Sequence, residues 1–196
     1  DAKAGFALKD GDTLVFVGDS ITAARGYTKI VELYTLMRYP ERRVKFWNAG
    51  QGGDTAAGAV KRLERDVFAH GATVVTVAFG VNEIGWGTKA DQEHKQKYLD
   101  GIRTIVTECE KRKVRVFICS AAITAEDPAT AETGFLQTMC DEGMALARSL
   151  GGGAIDVTLP GDLPPGTWRY AVEVKAGEKS LNVTTFTKGV VSSVEF

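Results

Sequence analysis

Leu14-Val15-Phe16-Val17-Gly18-Asp19-Ser20-Ile21-Thr22 is a short apolar run that empties into a glycine turn and then into helix-compatible sequence. Four consecutive apolar residues suit a strand buried on both faces, as in a parallel sheet. A strand followed at once by a turn and a helix lifts the turn residues to the carboxyl edge of such a sheet, where open α/β folds keep their ligands. Ser20 therefore stands where a nucleophilic hydroxyl can meet a substrate. Its plainer reading is a helix entry, with Ser20 or Thr22 capping the first turn.

The pattern around this stretch alternates. Helix Thr28–Arg38 is amphipathic and is ended by Pro40, and strand Val44–Asn48 follows. Thr55–His70 reads as one helix, with Val60, Leu63, Val67 and Phe68 at helical spacing and Gly71 as its stop. Thr73–Phe79 is a third, strongly β-branched strand, and Asp91–Lys113 a long helix. Strand Val114–Cys119, helix Ala129–Leu150 and strand Ala154–Val157 complete the series. Strands alternating with helices predict a parallel, helix-covered sheet. The expected fold is α/β: a flavodoxin-like three-layer α/β/α sandwich on five parallel strands. From Thr158 the pattern changes, and prolines and glycines punctuate three strand-like runs, Trp168–Lys175, Lys179–Thr187 and Gly189–Phe196. This predicts residues 1–158 as the α/β domain and 159–196 as an antiparallel β extension.

Three turns then fall at one sheet edge. The first holds Asp19 and Ser20, the second Gly50-Gln51-Gly52-Gly53-Asp54-Thr55, the third Gly80-Val81-Asn82-Glu83. A nucleophile beside peptide N–H groups and an amide is what acyl transfer needs, because donors aimed at the developing oxyanion lower the barrier. Each part has a structural alternative: a tight turn with an Asp54 or Thr55 cap, and an Asn82 bonded to its own backbone. Trp86 lines a cleft or packs as a loop aromatic. Arg25 reads as a solvated cation, with pairing to a substrate anion as the alternative.

On Gly18-Asp19-Ser20, Asn48-Ala49-Gly50-Gln51-Gly52-Gly53-Asp54-Thr55 and Gly80-Val81-Asn82-Glu83, the chain resembles the SGNH (GDSL-type) hydrolases over about residues 12–157, with Glu83 where that family usually has Asp. The resemblance implies Ser20 as nucleophile. It also implies the Ser20 N–H, the Gly53 N–H and the Asn82 side chain as oxyanion donors. It implies esters of small or carbohydrate-linked alcohols as substrates, with no metal or cofactor. The family's closing Asp-x-x-His block has no counterpart after Val157. His70, beside Gly71, reads as a helix-end cation, and His94 as a solvated helix residue. A serine without a base is a weak nucleophile, so impaired turnover is expected. The alternatives are a catalytically inactive binding module on this scaffold and a phosphate or flavin binder. Against the last stands a first turn with neither a P-loop lysine nor a GxGxxG pattern. Residues 163–170 and 189–196 loosely resemble β segments of flagellar hook-capping proteins. A fusion or truncation, a degenerate enzyme, and a partner chain supplying the histidine all remain open, as does association through the β tail.

Composition narrows the partners. A net charge of -1 over 196 residues leaves no electrostatic footprint for nucleic acid. No apolar run approaches the roughly 20 residues of a membrane span. Cys109, Cys119 and Cys140 have no CxxC spacing and read as buried or free thiols. No signal peptide is visible, and the chain opens on Asp1. Its compartment stays open, a secreted or periplasmic protein with its signal removed being one option.

Overall fold

The computed structural model describes residues 7–120 and 134–156, and the backbone of 168–176, 179–187 and 191–195. Strands β1 (Thr13–Gly18), β2 (Lys45–Gly50), β3 (Val74–Ala78), β4 (Arg115–Cys119) and β5 (Gly153–Ile155) form one parallel sheet in the order β2-β1-β3-β4-β5. This is the expected doubly wound order, with β1 at the switch point. Its neighbours are β2 on one side and β3 on the other, Gly18 pairing in register with both Gly50 and Ala78. The turns after β1, β2 and β3 are thereby brought side by side.

Alternating side chains of the central strands enter two cores. Val15, Val17, Val75, Val77, Val116 and Ile118 face helices α3 (Ala56–Val60), α4 (Leu63–Asp66), α5 (Gln92–Lys111) and α6 (Phe135–Ser149), and are at most 2% exposed. Leu14, Phe16 and Val74 face the other way, against Tyr27 and Val31 of α2 (Gly26–Arg38). Burial on both faces is why these strands read as continuous apolar runs. At its outer surface α2 leaves Ile30, Leu33, Tyr34 and Met37 about 40% exposed, one stripe at helical spacing.

Two element expectations change. The single helix over Thr55–His70 is three pieces: α3, α4 and a 3-10 turn, Phe68–His70. Arg62 and Val67, at the joints, leave helical backbone (φ −119°, ψ 3° and φ −121°, ψ −66°). The first break accompanies the inward turn of Arg62, which is 8% exposed. Gly71 ends the segment as expected, in left-handed backbone at φ 69°. The expected helix Ala129–Leu150 is described from Phe135, its first residues lying outside the described ones. The helix entry after the serine turn is the four-residue helix α1 (Ser20–Ala23), which follows β1 directly.

Beyond residue 167 the described backbone forms β6 (Trp168–Ala176), β7 (Lys179–Thr187) and β8 (Val191–Glu195), an antiparallel sheet in that order. The expected boundary near Leu159 lies outside the described residues. The three cysteines are free, as expected, and burial pushes the Cys109 and Cys140 thiols up to about 12.

Candidate active site

Ser20 is exposed and opens α1. Asp19 is its N-cap and accepts the Ile21 N–H at 2.9 Å through Oδ1. The cap that the plainer reading gave to Ser20 or Thr22 thus belongs to Asp19. Thr22 is buried and shares a 2.9 Å hydrogen bond with the Tyr27 hydroxyl. Asn48 holds α1 down: its Nδ2 donates to the Thr22 carbonyl at 2.7 Å, while its Oδ1 accepts the Gly50 N–H. A Cβ on Gly50 would lie 2.2 Å from the Ala23 nitrogen, so only glycine allows β2 to pass this close beneath α1.

Hydrogen bonds join the three turns. The Gln51 N–H donates to the Gly18 carbonyl at 3.0 Å, linking the second turn to the first. Asn82 Nδ2 donates to the Asp54 carbonyl at 2.9 Å and lies 3.5 Å from Asp19 Oδ2, so the third turn touches both others. Glu83 accepts the Ala56 N–H at 2.6 Å and the Gly80 N–H at 2.9 Å through its two oxygens. Beneath them Arg62 donates to the Ala49 and Gly18 carbonyls and to the Asp54 and Asp66 carboxylates. Neither Arg62 nor the Glu83 clamp was expected from sequence. Besides near partners such as Gly80 and Asp66, they reach Ala49, Gly18 and Ala56, 13 to 44 residues away and beyond the reach of a local motif.

Gly53 adopts left-handed backbone at φ 72°, and a Cβ there would meet nothing within 4 Å. Glycine is thus required by conformation, not by space. Neither the Ser20 nor the Gly53 peptide N–H has an acceptor among the described residues. Two peptide N–H groups, one on the first turn and one on the second, are thus unengaged among the described residues. Burial raises the Asp19 carboxyl, and the negative charge of Asp54 adds to it. Burial also raises the Glu83 carboxyl despite its two N–H donors.

Neither histidine hydrogen-bonds to these turns among the described residues. His70 ends the 3-10 turn that leads into β3, and the Thr73 N–H bonds to the carbonyl of Thr13, the first residue of β1. It therefore lies near the amino edge of the sheet, opposite Ser20, and its ring stacks on Trp47 at 3.9 Å between centroids. His94 is in the first turn of α5, where its Nδ1 meets the N-cap carboxylate of Asp91 at 2.8 Å. Asp91-Gln92-Glu93-His94 has the Asp-x-x-His spacing, a local signal the sequence reading passed over. The Ser20 hydroxyl forms no hydrogen bond among the described residues. Trp86 is 61% exposed in a left-handed turn (φ 55°), so it is not a packed loop aromatic. Among the described residues no group of three His, Cys, Asp or Glu could hold a metal, and no helix is long and apolar enough to cross a membrane.

Residues 16–173 match the GDSL-like lipase/acylhydrolase family. The chain belongs to that family. Among solved structures, this GDSL-family chain is similar to BT4096, a gut microbial diltiazem-metabolizing enzyme, with 25% identity and a TM-score of 0.63. It covers 37% of that protein and 76% of itself in the match, so it spans little more than a third of that neighbour. It is also similar to Axe2, an acetylxylan esterase from Geobacillus stearothermophilus (20% identity, TM-score 0.66, 77% and 78% of the two chains). The acetyl xylan esterase AlAXEase is another such neighbour (22% identity, TM-score 0.66, 74% and 77%). No curated protein matches the chain in sequence. Esterase or acylhydrolase chemistry is what GDSL-family membership supports.

Proposed function

We propose that this chain is a serine acylhydrolase for esters of small or carbohydrate-linked alcohols, with Ser20 as nucleophile. Ser20 Oγ adds to the ester carbonyl carbon, and the bond to the alcohol oxygen breaks. The alcohol departs with a proton, and water then cleaves the acyl-serine to release the acid and restore the hydroxyl. The Ser20 N–H, the Gly53 N–H and Asn82 Nδ2 receive the oxyanion. The observation that carries this reading is the Asn82 amide, held on the second turn by the Asp54 carbonyl at 2.9 Å, while the Ser20 and Gly53 peptide N–H groups have no acceptor among the described residues. Preorganised donors of this kind are each worth about 10²–10³ in rate. The acetylxylan esterase neighbours lend weight to acetylated carbohydrate as substrate.

Turnover by this chain alone is expected to be low. His70 stacks on Trp47 and His94 meets Asp91, and neither bonds to the Ser20 hydroxyl among the described residues. A nucleophile without its base loses several orders of magnitude, while the donors retain part of the acceleration. That same observation favours the second reading, a binding module with a silent site, which association through the β6–β8 segment would suit.

Fluorophosphonate labelling and 4-nitrophenyl acetate hydrolysis, each with wild type and Ser20→Ala, separate the two. Labelling at Ser20 with slow, Ser20-dependent turnover is the expected result. Rapid hydrolysis that survives Ser20→Ala would remove Ser20 from the mechanism. Rapid hydrolysis abolished by it would show that a base is present after all, and complete inertness would leave the binding module.

A further inference from the structure

One groove adjoins the serine turn, and nothing in the mechanism above uses it. It has a volume of about 420 Å³ and is lined by Ala23, Arg25, Phe46, Trp47, Asn48 and Gly50. Ala23 belongs to the same short helix as Ser20, and Gly50 begins the turn that carries Gly53. The groove therefore lies beside the first two turns and runs along β2.

Its chemistry is specific. β2 is an edge strand. The Lys45 N–H donates to the Asp12 carbonyl and the Gln51 N–H to the Gly18 carbonyl, so the odd-numbered residues bond towards β1. By that alternation Phe46 and Asn48 turn their peptide groups away from the sheet, towards the open edge. Asn48 itself offers no free amide, since Nδ2 donates to the Thr22 carbonyl and to Thr28 Oγ1 and Oδ1 accepts from Gly50. Trp47 has one ring face covered by His70 and is 46% exposed. The remaining polar group is Arg25, exposed and without an ion pair among the described residues. It sits in left-handed backbone at φ 64°, a conformation non-glycine residues avoid. A guanidinium presents a planar fork that matches a carboxylate in bidentate geometry. The exposed part of the Trp47 ring, strand-edge peptide groups and one guanidinium together fit a flat ring that carries an anion.

We propose that this groove receives the alcohol part of the ester, and that Arg25 selects ring alcohols bearing a carboxylate. The inference rests on Ser20 as the nucleophile of the proposed hydrolysis.

The test is NMR titration of the full chain with 3-hydroxybenzoate and with its neutral counterpart 3-hydroxybenzyl alcohol. The carboxylate probe should shift the Phe46, Trp47 and Asn48 amide signals. Its affinity should fall at least tenfold in Arg25→Gln and recover in part in Arg25→Lys. The neutral probe should bind the three proteins alike. Absence of shifts at Phe46–Asn48, or equal carboxylate affinity in wild type and Arg25→Gln, would overturn the proposal. Fluorophosphonate labelling of the same samples reads the hydrolase assignment separately. A labelled Ser20 without carboxylate binding removes the Arg25 selection alone. Carboxylate binding at an unlabelled Ser20 removes the nucleophile and leaves the Arg25 site standing.

Discussion

The guanidinium of Arg62 lies 2.6 Å from the carboxylate of Asp54, and both side chains are more than nine-tenths buried. The same guanidinium reaches the Gly18 and Ala49 carbonyls, so one cation underlies the first two turns of the site. Breaking a buried pair from one side leaves an uncompensated charge, which costs about 3–5 kcal/mol. Arg62→Leu should therefore lower the unfolding free energy by that amount in urea titrations. Asp66→Asn should have a smaller effect, since Asp66 is less buried and keeps a neutral acceptor.

Glu83→Gln replaces a two-oxygen acceptor by one oxygen and an NH₂ group facing a peptide N–H. Leaving a buried donor unpaired costs about 1–3 kcal/mol. The effect should depend on pH in a defined direction. Burial raises the folded-state pKa of Glu83 above its unfolded value near about 4.3. A raised carboxyl contributes stability that is full below the unfolded pKa and is lost as pH rises through the folded one. The destabilisation by Glu83→Gln should therefore be larger at pH 4 than at pH 7. Urea midpoints across that range check it, and an effect that grows with pH would contradict the burial argument.

Gly53→Ala should cost about 1 kcal/mol, because φ 72° is unfavourable for a residue with a Cβ while the space around it is open. Asn82→Ala should slow fluorophosphonate labelling of Ser20 by about 10²-fold if its amide receives the developing charge. Labelling rates compared at equal folded fraction separate this loss from instability.

Much of this molecule was legible because its signals are local. The Leu14–Val17 run and the Thr73–Phe79 run are apolar on both faces, which only a helix-covered parallel strand satisfies. The three turns converge because consecutive parallel strands put their carboxyl ends on one edge. What escaped the sequence was decided at long range. Helical spacing over Thr55–His70 was real, but it cannot show that Arg62 turns inward to carbonyls of two other strands. Glu83 looked like a substitution for a family aspartate, and its role appears only when Ala56 and Gly80 present their N–H groups to it. Trp47 gave no hint that His70 would cover it, since stacking depends on how a 3-10 turn meets an edge strand.

Asn82 bonds to a peptide carbonyl of the neighbouring turn, and no side chain of the donor array leans on the Ser20 hydroxyl. The half of the site that would receive charge is thus a folding product in its own right. A change in what faces the Ser20 hydroxyl therefore leaves the bridge between the second and third turns in place.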